Sequence, residues 1–165
     1  MAFVRIIDRI SRWMAYVAAA LMGMATVGML VDVITRYFLH GNIIWLQELV
    51  TFSFGSAVML GAAYTLQKGG HVRIDVLFSK LSPRGQAIMD ICTFVFFFVF
   101  IGAMVWSGWQ DSIISFNFNE RTESIWGPAI WPYKFVLVFA AMLLLLQGIA
   151  QLIRNILTVA GREGK

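Results

Sequence analysis

Four stretches of this chain run for 19 or 20 residues without a charged side chain: Trp13–Val31, Leu49–Gln67, Ile91–Gln110 and Phe135–Ile153. As helices, at about 1.5 Å per residue, each covers roughly 28–30 Å, the thickness of a bilayer's hydrocarbon core. The alternative, buried core helices of a soluble fold, fails on composition. Apolar residues make up 59% and charged residues 13% of the 165 positions, against about 25% charged in a soluble domain. Too little polar surface remains to cover four such helices in water. The expectation is an all-α integral membrane protein, a single membrane domain over residues 1–165 with spans at about 13–35, 45–67, 86–110 and 131–153.

Ahead of the first run, Phe3, Ile6, Ile7 and Ile10 recur at helical spacing, with Arg5, Asp8, Arg9 and Arg12 on other faces. That pattern predicts an N-terminal amphipathic interfacial helix lying on the membrane surface. The same arginines could open a signal peptide. The apolar run after them exceeds the usual 7–15 residues or so and no polar cleavage region follows, so the helix is expected to be retained. Basic residues divide unevenly among the connections. Arg5, Arg9, Arg12, Lys68, Arg73, Lys80, Arg84, Arg154, Arg162 and Lys165 fall on one side, and Arg36, Arg121 and Lys134 on the other. The positive-inside bias then predicts both termini and the 68–84 connection in the cytoplasm.

Between the spans, Asp32 and Arg36 are four apart and share a helix face, Gly41-Asn42 marks a tight turn, and Glu48 lies near the positive end of the second helix. Ser82-Pro83 suits an N-cap with proline in the first helical position. The third helix is rich in phenylalanine, with Trp106 and Trp109 towards its outer end. The longest connection, Asp111 to Tyr133, carries Glu120, Arg121, Glu123, Trp126 and Trp131. Gly23, Gly28, Gly55 and Gly61 are small enough to allow close helix contacts.

The chemistry this chain can offer is narrow. Ionisable residues inside a membrane usually mark an ion or substrate path, and Asp32, Arg36, Glu48, Asp90 and Lys134 all fall near helix ends. His40 and His71 lie in loops on opposite sides and cannot jointly clamp a haem. The lone Cys92 excludes an intrachain disulfide and reads as a small packed hydrophobe. No metal-ligand spacing or phosphate-cradling motif occurs, so no enzyme, metal or cofactor is expected. The net charge of +4 is spread over separate loops, which does not suit nucleic acid.

Arg36-Tyr37-Phe38, Trp45-Leu46-Gln47-Glu48-Leu49, Gly61-Ala62-Ala63 and Gly70-His71-Val72-Arg73-Ile74-Asp75 together resemble the signature of the DctQ-type small membrane subunit of tripartite ATP-independent periplasmic (TRAP) transporters. The family often has two adjacent acids after the tryptophan, whereas Gln47 stands first here. The resemblance implies a bacterial inner-membrane protein that partners a large TRAP membrane subunit and a periplasmic substrate-binding protein. Sodium-coupled uptake of organic anions such as dicarboxylates or sialic acid would be carried by the large subunit, with this chain as scaffold.

On that basis Asp32, Arg36 and Glu48, beside Trp45, are candidates for a polar cluster joining helix one to helix two or to the large subunit. The plainer reading is a solvated ion pair of little weight. His71, Arg73 and Asp75 are candidates for docking the 68–84 loop on the partner, or for holding it at the lipid headgroups. Trp126 and Trp131 are candidates for receiving the binding protein, or for interfacial anchoring. Two other classes remain open: a cofactor-free membrane anchor of a redox or enzyme complex, and a small oligomeric exporter.

Overall fold

The computed structural model describes residues 2–68 and 83–159. Four helices account for most of them: α1 (Ala2–Phe38), α2 (Ile44–Gln67), α3 (Pro83–Asn117) and α4 (Trp131–Val159). Each contains a segment long and apolar enough to cross a membrane, over Val4–Phe38, Ile44–Gln67, Thr93–Asn117 and Trp131–Leu157. Backbone polar groups in lipid must be satisfied within the segment itself, and uninterrupted α-helices do this. The three prolines cooperate. Pro83 opens α3 and Pro132 lies in the first turn of α4, where no helical N–H is lost, while Pro128 sits in a loop.

The helices form an array in which α2 lies between α1 and α4, and α3 packs chiefly on the other side of α4. The α4 span is the most buried, at 44%, against 11% for α3, so α4 is the hub and α3 an open flank. One apolar cluster joins Ala18 of α1, Leu60 of α2 and Ala140 of α4. A second joins Leu66 of α2, Ile101 of α3 and Leu144 of α4.

The burial pattern inverts that of a soluble protein. Among the most buried apolar residues are Ala18, Ala25, Ala57, Ala63, Ala140, Ala141 and Ala150, whereas Met29, Phe38, Phe96, Phe100 and Trp106 stand exposed. Lipid chains are as apolar as leucine, so these helices gain little by hiding large side chains. They gain by close approach of small ones. Gly28 of α1 illustrates this: a β-carbon there would lie 2.8 Å from Val50 Cγ2 of α2. Gly55 of α2 likewise leaves room for the Tyr133 hydroxyl of α4, whose ring stacks on Phe52 at 4.8 Å. Gly23, by contrast, faces open space.

Two expectations are revised. The first twelve residues contain no separate surface helix, because α1 runs unbroken for 37 residues from Ala2. Ile7 and Ser11 are buried in its packed face, and that packing carries the span's helix straight through the amphipathic segment. Second, α3 does not stop near residue 110 but continues to Asn117, leaving a connection of only 118–130. Asp111 does not end the helix because Lys134 meets its charge at 2.9 Å. At about 1.5 Å per residue, α1 and α3 measure roughly 55 and 52 Å, so they tilt or project beyond the hydrocarbon. The interior is not free of polar groups, since Gln147 of α4 is fully buried.

The α1–α2 turn occupies 39–43 as the Gly41-Asn42 pair suggests, yet the left-handed residue is His40, with φ of 51°. The Gly41 N–H returns to the Thr35 carbonyl at 3.1 Å and closes the helix end.

Candidate functional site

Polar side chains gather at the two ends of the array. At the end where α1 begins and α4 finishes, Ser11 Oγ donates to Gln147 Oε1 at 2.9 Å and Gln147 Nε2 donates to Asp8 Oδ1 at 3.0 Å. Arg154 Nη2 donates to the same Asp8 oxygen at 2.5 Å, and its Nη1 donates to Gln151 Oε1 at 3.1 Å. Gln147, Gln151 and Arg154 recur on one face of α4, so a single helix stripe grips α1. A buried amide in lipid needs partners, and Gln147 finds one acceptor and one donor on α1.

At the opposite end, Lys134 of α4 uses all three ammonium donors. It bonds Asp111 Oδ2 at 2.9 Å, Glu120 Oε2 at 2.9 Å and Ser115 Oγ at 2.6 Å. Ser115 is buried and in turn donates to Glu120. That hydroxyl, followed by the Lys134 ammonium, holds the Glu120 carboxyl below the ordinary carboxylate range. The cluster fixes the 118–130 connection, which folds into a small excursion closed by an Arg121–Ala129 bridge. Thr122 N donates to Pro128 O at 3.1 Å and Ile130 N to Glu120 O at 3.0 Å. Gly127 takes φ of 55° at the tip, where Ile125 and Trp126 project with 89% and 49% exposure. Among the described residues, no group of histidine, cysteine and carboxylate side chains is placed to hold a metal ion.

Residues 24–158 match the profile of the family described as tripartite ATP-independent periplasmic transporters, DctQ component. This chain belongs to the DctQ family. Among DctQ relatives, it is 27% identical over 111 residues to a C4-dicarboxylate TRAP transporter small permease protein of Vibrio cholerae. That alignment covers 66% of this chain and 48% of the relative, so the chain spans about half the length of that protein. It is 24% identical over 108 residues to a protein of Haemophilus influenzae named as a TRAP transporter small permease, covering 66% of this chain and 67% of that one. The four-span all-α architecture is therefore that of a DctQ transporter component.

Within this DctQ chain, Arg36 Nη2 donates to Asp32 Oδ2 at 2.8 Å, as their spacing implies. Glu48 does not complete the expected trio: its Oε2 is buried without a hydrogen-bond partner among the described residues. Trp45 is about half exposed at the start of α2. Trp131 packs edge-on to Phe116, with ring centres 5.3 Å apart, and to Phe135 at 6.4 Å. Trp126, unlike Trp131, stands clear on the loop. His71, Arg73 and Asp75 lie outside the described residues. Sequence reading passed over Asp8, Gln147, Arg154, Asp111, Ser115, Glu120 and Lys134 as partners. Its one available signal was the pair Gln147 and Gln151, one turn apart in the second half of an otherwise strongly apolar span.

Proposed function

We propose that this chain braces the large membrane subunit of a TRAP transporter, in a complex that takes up an organic anion handed over by a periplasmic binding protein. The observation that carries the reading is the family match joined to the shape of the array. The Asp8–Gln147–Arg154 and Asp111–Glu120–Lys134 groups are paired within the chain, while wide apolar faces remain uncovered on α1 (Val27, Met29, Leu30, Ile34) and α3 (Phe96, Val99, Phe100, Trp106). Faces of this kind suit lipid and a neighbouring set of membrane helices. On this reading the chain sits in the bacterial inner membrane with both termini in the cytoplasm, as the arginine and lysine distribution favours. Uptake is sodium-coupled and the cargo, a carboxylate, is selected by the partners.

The roles of individual residues follow the same logic. Asp32–Arg36 stiffens the outer end of α1, and Glu48 and Trp45 stand beside it at the start of α2, where the large subunit would meet the hairpin. Trp126, held out on a loop secured by Lys134, faces the periplasm where the binding protein arrives. Trp131, enclosed by Phe116 and Phe135, anchors α4. His71, Arg73 and Asp75 dock the cytoplasmic loop on the large subunit.

Reconstitution tests the reading. Uptake of a dicarboxylate or sialic acid into liposomes should require this chain together with the large subunit, the binding protein and a sodium gradient. The Arg36→Ala variant should lower complex yield or uptake. Solute flux through liposomes holding this chain alone would refute the bracing role, and co-purification with a flavin- or haem-bearing partner would replace it with an anchor for a redox complex.

A further inference from the structure

At the start of α1 a shallow concavity of about 540 Å³ is lined by Arg5, Ile6, Arg9, Ile10, Trp13 and Met14. These residues form two parallel ladders on one helix surface. Arg5, Arg9 and Trp13 succeed one another at one-turn intervals of about 6 Å, and Ile6, Ile10 and Met14 run beside them. We infer that this surface binds one anionic phospholipid, its phosphodiester held between the Arg5 and Arg9 guanidiniums and an acyl chain running from there past Ile10 and Met14.

Three observations carry this assignment. The first is uncompensated charge. Asp8, the acid within the first twelve residues, is committed to Arg154 and Gln147 on the packed face of the helix. Arg5, Arg9 and Arg12 are exposed and make no hydrogen bond or ion pair with any described residue. The second is depth. Trp13 opens the charge-free run and is 65% exposed, with Tyr16 edge-on at 6.3 Å, which sets the headgroup–hydrocarbon boundary one turn from Arg9. The arginines therefore stand at phosphate level. The third is the lining, where two guanidiniums run beside aliphatic carbon and give way to Trp13 and Met14. Guanidinium pairs grip phosphate oxygens by charge-assisted, two-pronged hydrogen bonds, while the apolar ladder offers nothing to a free anion. A lipid satisfies both halves at once. The assignment stands on the membrane-spanning helices and is independent of the transport reading.

The test uses the full purified chain in mild detergent, delipidated and then offered phosphatidylglycerol and phosphatidylcholine with matched acyl chains, with bound lipid counted by native mass spectrometry. One phosphatidylglycerol should be retained in preference to phosphatidylcholine. Arg5→Gln and Arg9→Gln should each weaken retention about fivefold, and together about 25-fold, the scale of one basic side chain at an anionic surface. Arg12→Gln removes the same charge from the same helix but outside the concavity, and should cost clearly less. Millimolar glycerol phosphate should not compete. Equal retention of the two lipids, equal losses for Arg12→Gln and Arg9→Gln, or displacement by glycerol phosphate would each overturn the site.

Discussion

Replacing Gln147 by leucine isolates the contribution of the hydrogen bonds that tie α1 to α4. The native amide accepts from Ser11 Oγ at 2.9 Å and donates to Asp8 Oδ1 at 3.0 Å, with both Ser11 and Gln147 fully buried. Interhelical hydrogen bonds in membranes average about 0.6 kcal/mol and reach about 1.7. Losing two therefore costs about 1–2 kcal/mol, rather than the larger penalty an orphaned amide would bring in a soluble core. The stranded Ser11 hydroxyl limits the damage by turning to the Ile7 carbonyl four residues back. Asp8 keeps Arg154 and stays neutralised. A double-mutant cycle separates the bond from the change in shape. Ser11→Ala alone leaves Gln147 Oε1 buried without its donor, so the combined Ser11→Ala, Gln147→Leu variant should be cheaper than the sum of the singles by about 0.6–1.7 kcal/mol. Reversible unfolding in mixed micelles, followed by tryptophan fluorescence, gives all four corners. Additivity within about 0.3 kcal/mol would show that the two side chains are neighbours without energetic coupling, and the account of the α1–α4 grip would fail.

Lys134→Met leaves Asp111 and Glu120 without their cation, and amide exchange across 118–130 should quicken by up to about fivefold, the scale of a solvent-screened ion pair; unchanged protection there would mean the loop is held by its backbone bonds. Because Ser115 and Lys134 lower the Glu120 pKa, the released loop binds more protons than the anchored one under acid conditions. Anchoring should thus be complete at neutral pH and fade as pH falls through and below the ordinary carboxylate range, read from Trp126 emission; loosening towards alkaline pH would contradict the sign. Gly55→Ala forces a β-carbon onto the Tyr133 hydroxyl and should cost about 1–3 kcal/mol. Tyr133→Phe removes the atom struck and should restore much of that loss, whereas an unshifted melting midpoint for Gly55→Ala alone would show that the ring moves aside freely.

Some site chemistry was legible because it is local. Asp32 and Arg36 are one turn apart, so a helix places them in contact wherever it packs. Pro83 opens α3 as its fixed φ dictates. The long α1 was less legible, because apolar residues at 6, 7 and 10 fit both a surface helix and the continuation of a span; burial of Ile7 and Ser11 against a neighbour decides between them. The end of α3 was misjudged for a related reason. A charge such as Asp111 signals a boundary only while its partner is unknown, and Lys134 is supplied by another helix.

What the amino-acid order settled by itself is the number of crossings. Lipid thickness sets a fixed yardstick, charged side chains are excluded from it, and four uncharged runs meet that measure. The tertiary structure alone decided which surfaces of those helices meet. Helices clothed in apolar groups on every side carry little record of their neighbours, since lipid and protein are almost equally good solvents for such groups. The choice falls to shape and to scarce polar atoms. Asp8 and Arg154 lie 146 positions apart, and only the packing of α1 on α4 brings them within hydrogen-bonding distance.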